Sequence, residues 1–111
     1  MNELSLKRLM EQRGIDLRGA ETNHEKSLQF LRALNLVIPP KDVSDRVTYR
    51  RIQRWLHGGC QQERFDEHTI YRRVIDFALE ASGPKSRNPA AVFISIIKKE
   101  LGYKPGSVKN D

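Results

Sequence analysis

Apolar residues recur along this chain at the three- and four-residue spacings of an amphipathic helix, in five stretches separated by glycine, proline or polar clusters. A first helix is expected over residues 3–13, with Leu4, Leu6, Leu9 and Met10 as its apolar set, Asn2 as cap and Gly14 as stop. A second starts at Thr22 or Asn23 and continues through Leu28, Phe30, Leu31, Leu34 and Leu36 until Pro39-Pro40 ends it. The third runs from Asp45, placed to N-cap it, to Gly58-Gly59, which supplies a left-handed closing residue after about three turns. Thr48, Tyr49, Ile52, Trp55 and Leu56 share one arc of that helix, and Arg46, Arg50, Gln53, Arg54 and His57 fall in another centred opposite Trp55.

Asp66 is the expected cap of a fourth helix, Glu67 to Ala81, whose apolar pattern is the strongest in the chain and belongs at the centre of the core. Asn88 and Pro89 form an N-cap and N1 pair that opens a fifth helix, ending at Leu101 before Gly102. Its stretch Ala90–Ile97 is apolar apart from Ser95, which implies burial on two sides, by the rest of the domain and by a partner chain. The β-branched VFISII segment leaves a strand as the alternative at 90–97, and the caps at both ends favour helix. The expected fold is therefore all-α, a compact bundle of about five short helices with a helix-turn-helix-like core. Residues 1–103 form one helical domain and 104–111 a flexible C-terminal tail, Tyr103 already opening a stretch with no apolar pattern.

Composition narrows this picture. A chain of 111 residues with 38% hydrophobic positions supports one core, and no apolar run approaches membrane-spanning length. The N-terminal MNELSLKRLMEQRG mixes acids with bases and lacks an apolar h-region, so a cytoplasmic location is expected, with no membrane association. A single cysteine, Cys60, excludes an internal disulfide.

The formal net charge is +6, and it is unevenly spread. Residues 46–57 hold four arginines and no acid, while residues 85–111 hold six lysines and arginines against Glu100 and Asp111. Locally concentrated basicity is the footprint of a polyanion partner. On the third helix Arg46, Arg50 and Arg54 repeat at i, i+4 and i+8, with Gln53 between them. They suit successive phosphates or a guanine edge, and Gln53 a base or a phosphate. Lys85 and Arg87 flank the start of the fifth helix, where free N–H groups and the helix dipole favour an anion. The tetrapeptide Tyr49-Arg50-Arg51-Ile52 recurs as Tyr71-Arg72-Arg73-Val74, but there Asp76 and Glu80 can neutralise the arginines locally.

The span Val43–Gly58, with a small polar cap, a basic stripe and a closing Arg-Trp-Leu-x-Gly, resembles the recognition helices of bacterial helix-turn-helix regulators. Pro39-Pro40 lengthens and stiffens the turn ahead of it beyond the usual three or four residues. Asn88-Pro89-Ala90-Ala91-Val92-Phe93 with Lys98-Lys99-Glu100 is similar to a C-terminal helix of plasmid replication-initiator and primosome-type proteins. These resemblances imply a DNA-binding regulator or replication accessory factor that takes duplex DNA in preference to RNA. The alternative is a helical protein-interaction module, a homodimer through the 89–101 helix or an adaptor whose basic face meets an acidic partner.

Catalysis is not expected, since no glycine-rich phosphate loop and no suggestive serine, histidine and acid spacing occur. No cofactor is expected, and no metal: His57-x-x-Cys60 and His68 lack a fourth ligand at structural-zinc spacing.

Overall fold

The computed structural model describes residues 2–104, and the tail expected at 104–111 lies, but for Lys104, outside them. Five helices follow in order: α1 (Glu3–Gln12), α2 (Asn23–Val37), α3 (Val43–Gln61), α4 (Ile70–Ala81) and α5 (Pro89–Leu101). No strand occurs among the described residues, and 90–97 is helix. The caps decide that segment. Asn88 accepts the Ala91 N–H at 3.3 Å, and Gly102, at φ 71°, lets the Tyr103 N–H return to the Ile97 carbonyl.

The fold is organised around α2, which packs against α1, α3 and α4, while α5 packs on α4. Phe30, Ala33 and Leu34 of α2 are fully buried, together with Ile52 and Leu56 of α3 and Val74, Ile75 and Ala78 of α4. Each such large apolar side chain contributes about 1.5–3 kcal/mol relative to exposure. Phe93 and Ile97 attach α5 to the same core. The two-sided burial expected of Ala90–Ile97 is not provided by the chain itself, because Ala91, Val92 and Ser95 are exposed.

Helix α1 is held by Leu6, 1% exposed, and by polar ties at its far end. Gly14 takes φ 67°, the Ile15 N–H returns to the Met10 carbonyl, and Arg32 of α2 donates to the Arg13 carbonyl at 2.9 Å. Arg72 of α4 pairs with Glu3 at the other end of α1.

Three boundaries differ from the sequence expectation. Helix α3 spans 19 residues, and its cap is Asp42, which accepts the Asp45 N–H at 2.9 Å. Asp45 instead lies in the first turn and accepts the Lys41 N–H at 3.0 Å. Gly58 and Gly59 are inside the helix, which ends beyond them where Glu63 takes φ 60° and the Arg64 N–H returns to the Gly59 carbonyl at 2.8 Å. Helix α4 begins at Ile70, because Asp66 holds a turn over residues 67–69 by accepting the His68 N–H. Tyr103, which the sequence places at the start of the patternless stretch, is 3% exposed and packs on Trp55 with ring centroids 5.0 Å apart.

Candidate nucleic-acid interface

Helix α3 packs on α2 through Tyr49, Ile52 and Leu56, leaving the opposite side of the helix open. Arg46, Arg50 and Arg54 are exposed on that side, as their spacing requires. Val43 and Val47 sit among them, 74% and 36% exposed.

The buried arc is centred nearer Ile52 than Trp55, a rotation of roughly 60° at the ~100° per residue of a helix. Trp55 occupies the edge of that arc because Phe65 and Tyr103 come to meet it there, at centroid distances of 5.2 and 5.0 Å. The rotation has two consequences for the basic face. Arg51 joins the exposed set, giving four arginines on one helix surface. Gln53 turns toward α2, half-buried, and its Nε2 donates to Ser27 Oγ at 3.1 Å. Ser27 Oγ in turn donates to the His24 carbonyl at 2.7 Å. Both shifts would be legible in sequence if Gly59, one helical repeat from Ile52, were counted as part of the buried side.

Among the described residues no ion pair involves Arg46, Arg50, Arg51 or Arg54. The repeated tetrapeptide supplies an internal control. Tyr49 and Tyr71 are both buried, but the arginines behind them meet different neighbours. Arg72 is paired with Asp76 at 3.2 Å and with Glu3, and the Arg73 guanidinium lies 5.4 Å over the Phe77 ring. The α4 arginines are therefore occupied, whereas those of α3 are available to an outside anion.

Two grooves border this surface. One, of 280 Å³, is lined by Leu31 and Asn35 of α2, Pro40 of the connecting turn, and Arg46 and Arg50 of α3. The other, of 430 Å³, runs from the same Pro40 past Asp45 to Ser82, Pro89 and Ala90. Lys85 and Arg87 are exposed on the loop between those last residues, whose two ends face the N-terminal end of α3 across that groove. Ser86, between the two bases, has a buried hydroxyl with no hydrogen-bond partner among the described residues.

Behind α3 the contact with α2 and α4 is polar as well as apolar. Tyr71 donates to Asn23 Oδ1, and Asn23 donates to the His57 carbonyl at 3.1 Å. Lys26, 8% exposed, reaches Glu67 at 3.5 Å and the Glu21 carbonyl at 3.3 Å. His57 meets the edge of His24 at 5.9 Å. Burial pushes the Cys60 thiol up, outweighing an opposing effect of the Tyr71 hydroxyl. Burial also raises the Tyr71 and Tyr103 hydroxyls, the latter against an opposing effect of Arg51. Tyr49 donates to the buried Ile38 carbonyl at 3.0 Å, and burial, aided by the Asp45 carboxylate, pushes its hydroxyl up to about 12. No group of three or more His, Cys, Asp and Glu among the described residues could hold a metal ion. None of their helices is long and apolar enough to cross a membrane.

No protein-family model, curated protein or solved structure matches this chain.

Proposed function

We propose that this protein binds nucleic acid, duplex DNA in the first instance, as a small regulator or replication accessory factor. The observation that carries the reading is the set Arg46, Arg50, Arg51 and Arg54 on the open side of α3, which form no ion pair among the described residues, beside α4 arginines that have partners. Four guanidinium groups on one helix surface meet phosphates as charge-assisted, often bidentate donors. Lys85 and Arg87 extend the basic surface from the α4–α5 loop. Docking of α3 in the manner of a helix-turn-helix recognition helix is part of the proposal, as is a cytoplasmic site of action.

Changing Arg50 and Arg54 together to glutamate should abolish binding to random duplex in a gel shift while helical circular dichroism stays intact. Binding that survives this reversal would remove α3 from the interface. The rival, a homodimer through α5, has Val92 as the one large apolar side chain of that helix that is exposed, at 41%, with Lys99 exposed on the same side. A dimer in light scattering combined with no nucleic-acid affinity would replace the first reading by the second.

A further inference from the structure

We infer that the groove between α2 and α3 receives an unpaired nucleotide, so that the interface takes a junction of duplex and single strand in preference to an intact duplex. The inference rests on the nucleic-acid reading above and adds a subsite to it. The four exposed arginines spread across the open surface of the helix. Arg46 and Arg50, one turn apart, line the 280 Å³ groove against α2, while Arg51 and Arg54 lie farther round the solvent face.

The remaining lining is suited to a base more than to a backbone. Leu31 and Pro40 are half-buried and offer apolar surface to the face of a ring. Asn35 is exposed, and its side-chain amide makes no hydrogen bond to any described residue. An amide carries both donors and an acceptor, the complement of a Watson–Crick edge that an unpaired base leaves open. A paired base hides that edge and its faces, so a duplex could offer this groove only its phosphates. The guanidinium groups of Arg46 and Arg50 stand at the rim, paired to no acid among the described residues, where the phosphate of the same nucleotide would lie. The positive surface continues along α3 to Arg54, which assigns a strand and not a free nucleotide.

The test is fluorescence anisotropy with a blunt duplex and with the same duplex carrying a short single-stranded overhang. The overhang probe should bind about ten-fold more tightly, the scale of one well-formed base contact. Asn35→Ala should remove most of that preference and leave the blunt-duplex affinity unchanged; the position is exposed and unbonded, so the variant folds. Equal affinity of the wild-type protein for both probes would overturn the groove assignment while leaving the arginine interface standing. A preference that survives both Asn35→Ala and Arg46→Gln would place the unpaired nucleotide elsewhere and overturn it equally. No binding of either probe at low salt would overturn the interface itself.

Discussion

Gly59 lies against the ring of Phe65, so closely that a Cβ at residue 59 would collide with ring carbons Cδ2 and Cε2. Phe65 is in turn packed on Trp55, which is packed on Tyr103. The missing side chain is thus what lets Phe65 of the α3–α4 loop close over the C-terminal half of α3, beside Trp55 and Tyr103. Gly59→Ala should therefore be destabilising despite its gain in helix propensity. Overpacking of about 1–3 kcal/mol against a propensity gain of about 1 leaves a net loss near 1 kcal/mol. Denaturant melts followed by Trp55 fluorescence would measure it, and a stabilised variant would refute the contact.

The adjacent glycine should behave in the opposite sense. A Cβ at Gly58 meets nothing within 4 Å, and the residue is helical, so Gly58→Ala should stabilise by about 0.5–1 kcal/mol. Glu63 gives the companion case, since it holds the left-handed conformation at φ 60° that ends α3. Glu63→Gly should relieve a cost of about 1 kcal/mol at that position. If either change lowers the thermal midpoint, the C-terminus of α3 is misassigned.

These two glycines also explain why part of the fold was readable in the sequence and part was not. Where a cap and a stop stand alone, as Asn88-Pro89 and Gly102 do around α5, the local chemistry specifies both ends and the structure agrees. At α3 the local signals compete. Asp42 and Asp45 can each cap, and Gly58-Gly59 serves equally as a terminator or as a site of close approach. Only the contact with Phe65, six residues on across the α3–α4 turn, decides between those roles. The same contact cluster draws Trp55 to the edge of the buried arc, and with it the identity of the outward residues changes. Arg46, Arg50 and Arg54 were legible as exposed because they lie well within the open arc. Gln53 and Arg51 sit near its limits, where a rotation of roughly 60° reverses their environment. Tyr103 was illegible for another reason, since one aromatic after a glycine has no period to reveal it.

Tyr49 should make the fold sensitive to alkali. Its hydroxyl is raised to about 12 by burial and by Asp45, whereas in the unfolded chain it ionises near 10. Its contribution is fully present below the unfolded value and is lost as pH rises through the folded one. Across that window the unfolded chain releases a proton that the folded chain keeps, so stability falls. Tyr71 and Tyr103, raised in the same direction, act with it. Tyr49→Phe should lower stability by about 1 kcal/mol at neutral pH through the lost bond to Ile38. It should also make the alkaline fall shallower by up to about 1.4 kcal/mol per pH unit. Urea midpoints on either side of pH ~10 would show it, and an unchanged slope would mean that Tyr49 is open to solvent.

Salt dependence separates the residues that touch phosphate from those that only hold the helix in place. Each phosphate contact adds about 0.9 to the slope of log affinity against log salt on duplex DNA. Arg50→Gln and Arg54→Gln should each reduce that slope by about one, with little change in stability because both side chains are exposed and form no ion pair among the described residues. Gln53→Ala should do the reverse. Its amide is committed to Ser27 Oγ at 3.1 Å, so its loss should cost about 1 kcal/mol of stability. The salt slope should stay as it was, because a residue facing α2 neutralises no phosphate. A slope that falls with Gln53→Ala while the melt is unchanged would show that the side chain leaves Ser27 to meet the nucleic acid. In that case α3 reads its target with the amide as well as with its arginines.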